Sequence, residues 1–137
     1  MKKELPAELE ARLESMKVAP YALHLNMETV SVGDGESVVR MPTDGMTNAL
    51  GTAHGGAIFS LADQAFALAA NSRGEPQVAL TANISYLRPG KGDLEATARK
   101  VSDNRSTSVY EVIVRQGDEV VAVFQGIGYK LRRPEKK

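Results

Sequence analysis

The residues best suited to chemistry lie in one short run. His54-Gly55-Gly56 opens the longest helical pattern in the chain, and Asp63 follows two turns later as the only formal charge between His54 and Ser72. Two adjacent glycines weaken the start of a helix. A tight loop-to-helix turn is one reason for them. The other is that the first N–H groups of a helix have no internal partner, and residues without side chains let a substrate carbonyl approach those donors. The positive end of the helix dipole adds to the effect. Donors placed in this way stabilise the oxyanion that develops in acyl transfer. A carboxylate such as Asp63 supplies the complementary part, as a general base toward water or as a nucleophile.

The surroundings of Asp63 admit two readings. Its neighbours three and four residues away are Phe59, Ser60, Phe66 and Ala67. In one reading Asp63, Ser60 and Gln64 form a narrow solvent-facing stripe, the ordinary place for an aspartate. In the other, the small residues Gly56, Ala67 and Ala70 let another backbone or chain approach. Asp63 then lies at a subunit interface or cleft, where desolvation raises the pKa and basicity of a carboxylate. His54 is either a loop histidine satisfied by a backbone carbonyl or a base by residue type. Its place at the helix start favours orienting the glycine turn. His24 has no partner in view and receives no role.

The elements that must hold these groups read as α+β. Pro6 to Lys17 predicts a short helix, with Leu9, Leu13 and Met16 at helical spacing and Pro20 ending it, as a lid or brace. Leu25–Val32 and Glu36–Met41 read as strands around the tight turn Gly33-Asp34-Gly35. His54 to Ser72 is the long helix, closed by Asn71-Ser72-Arg73-Gly74. At about 100° per residue its apolar side chains cover more than half the circumference, where a one-faced helix needs a stripe only about 100° wide. The helix must therefore be largely enclosed. Gln77–Leu87, Asp93–Val101, Thr107–Arg115 and Glu119–Leu131 then read as strands on short links, which favours antiparallel neighbours.

Composition bounds the function. The 137 residues suit a single domain. Seventeen basic and seventeen acidic residues cancel, so the basic excess of a nucleic-acid binder is missing. The chain has no cysteine, which excludes disulfides and thiolate chemistry, and its two histidines cannot make a three-histidine metal site. Neither a signal-like apolar stretch nor a membrane-length apolar run is present. A soluble cytoplasmic protein without membrane or nucleic-acid partners is expected. The basic tail from Lys130 to Lys137 is either a solvated terminus or a phosphate-contacting segment.

Gly51-Thr52-Ala53-His54-Gly55-Gly56, followed by Phe59-Ser60-Leu61-Ala62-Asp63-Gln64-Ala65-Phe66, resembles the signature of hotdog-fold thioesterases of the PaaI-like, phenylacetate-pathway group. Asn83-Ile84-Ser85-Tyr86-Leu87-Arg88-Pro89 resembles the strand that follows the helix in that group. The likeness runs from about Leu25 to Tyr129. The two motifs together are specific, whereas His-Gly-Gly alone is weak.

The resemblance implies a hotdog fold, a long central helix wrapped by a curved antiparallel sheet of five to six strands. It divides the chain into an N-terminal helix and connection over 1–24, a thioesterase domain over 25–132 and a basic tail over 133–137. It implies a homodimer with continuous sheets and active sites at the interface, assembling further into a homotetramer. It also implies hydrolysis of an acyl-coenzyme A carrying a small or medium, even aromatic, acyl group, with coenzyme A as part of the substrate and no separate cofactor. Residue by residue, Asp63 is nucleophile or general base, and Gly55 N–H polarises the thioester carbonyl. Asn48 helps position water or substrate, His54 is the histidine before the glycine pair, and Thr81 lies near the nucleophilic water. Gly56 and Tyr86 would line the substrate path, with Arg88 and Arg105 as candidates for coenzyme A phosphates beside Lys91, Arg132 and Arg133. Two other classes remain: a hotdog module that binds acyl-coenzyme A without hydrolysis, and a hotdog dehydratase, whose histidine motif the His54 context does not match.

Overall fold

The computed structural model describes residues 6–131. Two short helices, α1 (Ala7–Lys17) and α2 (Pro20–His24), lead into the hairpin of β1 (Glu28–Gly33) and β2 (Glu36–Pro42). The long helix α3 (Gly55–Ala70) follows, and then β3 (Gln77–Tyr86), β4 (Asp93–Asp103), β5 (Thr107–Gln116) and β6 (Glu119–Lys130). The six strands form one sheet in the order β1-β2-β4-β5-β6-β3, antiparallel throughout. Arg132 and Arg133 and the tail beyond them lie outside the described residues.

Burial follows the two periodicities of the sequence. On β5, Ser108, Tyr110, Val112 and Val114 turn inward at every second position; Leu94, Ala96 and Ala98 do so on β4, and Ser37, Val39 and Met41 on β2. These faces receive α3, which packs mainly against β4, β2 and β5. Half of its sixteen residues are buried, as expected for a helix apolar on more than one face. Small residues on the sheet make room for it. The clearest is Gly126 on β6, where an added Cβ would stand 2.9 Å from the Phe66 ring. That ring is itself wedged between Tyr110 and Phe124, with centroids at 5.9 and 5.8 Å.

The β1–β2 turn is a two-residue hairpin loop. Asp34 and Gly35 both have positive φ, +52° and +84°, as the turn that matches strand twist requires. The Gly35 N–H donates to the buried Ser72 hydroxyl at 2.7 Å, which docks the hairpin onto the exit of α3.

The N-terminal segment departs from expectation. Pro20 ends the first helical pattern but also starts a second helix, α2, where it occupies the first turn that tolerates proline. The chain leaves α2 through Asn26 at φ +56°, with Met27 N–H donating to the Ala22 carbonyl at 2.9 Å, so β1 begins at Glu28 and not at Leu25. Leu13 and Ala22 join the main core. The Arg12 guanidinium donates to the Asn71 and Gly74 carbonyls at 2.9 Å each and so closes the C-terminal end of α3.

Gly126→Ala is expected to destabilise the protein by about 1–3 kcal/mol, since no free volume receives the methyl group. Thermal unfolding should report a lower Tm with the secondary structure retained. A Tm equal to that of the parent would show that Phe66 can move aside.

Candidate active site

The N-terminus of α3 is built so that one donor is left over. His54 is the N-cap, and its Nδ1 accepts from Gly56 N–H at 2.9 Å. This bond requires an unprotonated Nδ1, so the neutral ring carries its proton on Nε2. The His54 carbonyl accepts from Ala57 N–H at 2.9 Å and Ile58 N–H at 3.1 Å. Among the described residues nothing accepts from Gly55 N–H. It points out of the positive end of a sixteen-residue helix.

Tyr86, near the end of β3, covers this turn. Its hydroxyl donates to the Gly55 carbonyl at 3.0 Å. Its ring atoms stand 3.4–3.6 Å from the place where a Cβ on Gly55 would sit. A second link comes from α2. Tyr21 and Ser60 share a hydroxyl contact of 2.8 Å, and Ser60 donates to the Gly56 carbonyl at 2.8 Å. Ser60 has one proton, so Tyr21 is the donor to Ser60. The expected polar stripe on α3 is thus mostly occupied, because Gln64 also donates to the Met16 carbonyl at 3.0 Å.

Asp63 stands apart from that stripe. It is half-buried and has neither an ion pair nor a hydrogen bond among the described residues. Phe59 and Phe66 flank it on one side and pack edge-on or tilted against Phe124. Burial alone holds its carboxyl above the ordinary value of 3.8. Unpartnered, desolvated and more basic than usual, it has the properties of a proton acceptor or nucleophile.

Asn48 sits in the 46–53 loop, where Oδ1 accepts from Leu50 N–H at 2.9 Å and Thr52 N–H at 3.1 Å. Its Nδ2 donates to the Thr52 hydroxyl at 2.9 Å, which leaves one amide hydrogen without a partner among the described residues. The side chain shapes its own loop first. Thr81 is on the sheet face opposite α3. Gln77 points inward and bonds the Ala70 carbonyl, but a register shift between Ala79 and Thr81 reverses the alternation. Ala82 and Ile84 therefore pack on the core, while Thr81, Asn83 and Ser85 are exposed.

Arg88 is exposed and pairs with Glu119 at 3.3 Å. Arg105 lines a cleft with Ser106, Tyr129, Lys130 and Leu131. This cleft is beside the start of β3, because Gln77 pairs with Lys130. The ten residues of β3, nine steps from Gln77 to Tyr86, put it roughly 30 Å from Tyr86 and Gly55 in the same chain. One protomer therefore brings Gly55, Gly56, His54 and Tyr86 together and holds Arg105 away. Sequence reasoning missed the Tyr21–Ser60 link. Only the i, i+4 spacing of Gly56 and Ser60 hinted at half of it.

A sequence model of the thioesterase superfamily matches residues 50–123, from the Asn48 loop through α3 into β6. The acyl-coenzyme A thioesterase PaaI of Escherichia coli is 42% identical over 111 residues, covering 78% of this chain and 79% of that protein. The solved structure of the E. coli PaaI protein from the phenylacetic acid degradation operon matches with a TM-score of 0.85 at 34% identity, over 94% of this chain and 97% of that one. The smu.793 protein of Streptococcus mutans, solved bound to acetyl-CoA, matches with a TM-score of 0.74 at 35% identity, over 80% of this chain and 92% of that one. The chain belongs to the thioesterase superfamily, in its PaaI-like hotdog-fold group, and is a thioester hydrolase. Among the described residues no helix is long and apolar enough to cross a membrane.

The raised pKa of Asp63 has a consequence for stability. The folded chain holds this proton more tightly than the unfolded chain does. The contribution of the group is therefore most favourable below the unfolded value of 3.8 and is lost as pH rises through the higher folded pKa. Asp63→Asn carries no charge, so it is expected to melt above the parent at pH 7 and to converge with it below ~3.8. A lower Tm for the variant at pH 7 would show that the ionised carboxylate is stabilised by a partner.

Proposed function

We propose that the chain hydrolyses the thioester of an acyl-coenzyme A with a small or medium acyl group, with Gly55 N–H as oxyanion donor and Asp63 as base or nucleophile. The observation that carries this reading is the unoccupied Gly55 N–H in a turn whose other polar groups are engaged. Thioesters have little of the resonance of amides, so a carboxylate and an oxyanion donor suffice. Asp63 takes a proton from water, the oxygen of that water adds to the carbonyl carbon, and the oxyanion is held by Gly55 N–H. Collapse breaks the C–S bond, and the leaving thiolate takes up a proton. In the alternative, Asp63 attacks the carbonyl carbon directly, the C–S bond breaks to release the thiolate, and water opens the resulting anhydride to the free acid and the Asp63 carboxylate. In this reading the free amide hydrogen of Asn48 and the exposed His54 ring, both on the loop before the helix, would orient water or substrate.

This reading takes the two main groups from different subunits. Gly55 and Asp63 are eight residues apart on one helix, about 12 Å along the axis and about 80° around it. A direct attack needs the reacting carbon within roughly 3–3.5 Å of the carboxylate and its oxygen within roughly 3 Å of the donor. No single carbonyl spans that gap. β3 offers the means of pairing, as an edge strand with Val78 50% and Leu80 60% exposed. Antiparallel pairing of two β3 edges would turn the start of one strand toward the end of the other. Gly55 would then face the partner subunit's Asp63, and Arg105 would approach from the partner to meet coenzyme A phosphates.

Two experiments test this. Asp63→Ala is expected to fold and to release no thiol from a panel of acyl-coenzyme A substrates that the parent hydrolyses; near-parental turnover would sink the assignment of Asp63, and a parent that released no thiol would favour a binding module. Gly55→Pro removes the N–H at a first helical position that accepts proline, after a His54 whose ψ of 137° suits it. Its kcat should fall by about 10²–10³. Unfolded and refolded together in equal amounts so that subunits pair at random, the two inactive variants should recover about a quarter of parental turnover, because half of the dimers then hold one intact site of two. A mixture as inactive as its components would place both groups in one subunit.

A further inference from the structure

The peptide group between Gly55 and Gly56 is gripped at both ends. Its carbonyl accepts from the Tyr86 hydroxyl at 3.0 Å, and its N–H donates to His54 Nδ1 at 2.9 Å. The peptide group before it carries the Gly55 N–H and is fixed through the His54 carbonyl by Ala57 and Ile58. Both planes that meet at the Gly55 Cα are thus held from outside. A glycine needs this more than any other residue, because its φ and ψ are weakly restrained. The feature that lets a substrate approach Gly55 also leaves the turn free to rotate. The Tyr86 ring takes the space beside Gly55 where a side chain would pack, at 3.4–3.6 Å from the missing Cβ.

We propose that Tyr86 is a positioning residue of the hydrolytic site, its hydroxyl fixing the Gly55–Gly56 peptide group together with His54 and so aiming the Gly55 N–H. This rests on the reading of Gly55 as oxyanion donor. It gives Tyr86 a task apart from lining the substrate path. Because Tyr86 is on the edge strand β3, the aim of the donor also depends on the strand available for subunit pairing.

Tyr86→Phe keeps the ring and removes the hydroxyl. Its kcat should fall about ten-fold, less than on losing the oxyanion donor itself, with KM within about two-fold of the parent. Amide hydrogen exchange at Gly56 in the substrate-free protein should speed up several-fold. Tyr21→Phe removes the hydroxyl that reaches the next peptide group through Ser60 and should stay within about two-fold of parental kcat, by the same reading of rate changes. An unchanged kcat for Tyr86→Phe, a rise in KM alone, or an equal loss in Tyr21→Phe overturns the assignment. The exchange measurement needs no turnover. If Asp63→Ala stayed active and the proposed chemistry fell, faster exchange at Gly56 would still show Tyr86 holding the turn, and unchanged exchange would still refute it.

Discussion

Enclosure of α3 by the sheet is the constraint from which the other features follow. The helix is apolar over more than half its circumference, so it is stable only where a second layer removes most of that surface from water. The sheet supplies the layer through β4, β2 and β5, with Ala96 and Ala98 letting the helix come close. The aromatic trio Phe66, Tyr110 and Phe124 closes the β6 side over Gly126. One flank of the helix remains for other uses. The α1–α2 elbow takes part of it, where Gln64 and Ser60 find partners in Met16 and Tyr21. What is left is the strip that carries Asp63.

Desolvation of Asp63 is a by-product of that packing. No cation was placed beside it and no donor reaches it among the described residues, so burial is the cause of its raised pKa. A charged pair there would have lowered the basicity and tied up the carboxylate. The folded chain accepts an unfavourable group in the middle of its best-packed element, a common arrangement for a site that must do acid–base work at neutral pH.

Local features were legible in the sequence. The Asp34-Gly35 hairpin, the span of α3 and the strands β4 to β6 rest on turn chemistry and periodicity within a few residues. The isolation of Asp63 was legible because nothing else on the helix is charged. The second helix was hidden because Pro20 carries two meanings, stop and start. The inner face of β3 was hidden because a single bulge at Leu80 decides it. Counted from Gln77 by strict alternation, Thr81 faces the helix and Tyr86 faces away; one extra residue reverses both. The contact of Tyr86 with Gly55 spans 31 residues, and that of Tyr21 with Ser60 spans 39. No local pattern encodes pairs at that separation.

The same bulge links stability to function at the glycine turn. Two glycines in the first turn cost about 1 kcal/mol each against alanine. The bonds from His54, Tyr86 and Ser60 to this turn return about 1 kcal/mol each, so the turn is roughly neutral for folding. Its rigidity is set by the bonds alone, since the glycines contribute none. Loss of one bond then costs little global stability while it widens the range of directions open to the Gly55 N–H. An oxyanion donor works only along a narrow direction, so such a loss weighs on catalysis before it weighs on the fold. The exposed Tyr86 hydroxyl beside the glycine pair, unremarkable as surface chemistry, is in this chain part of what gives the helix start its aim.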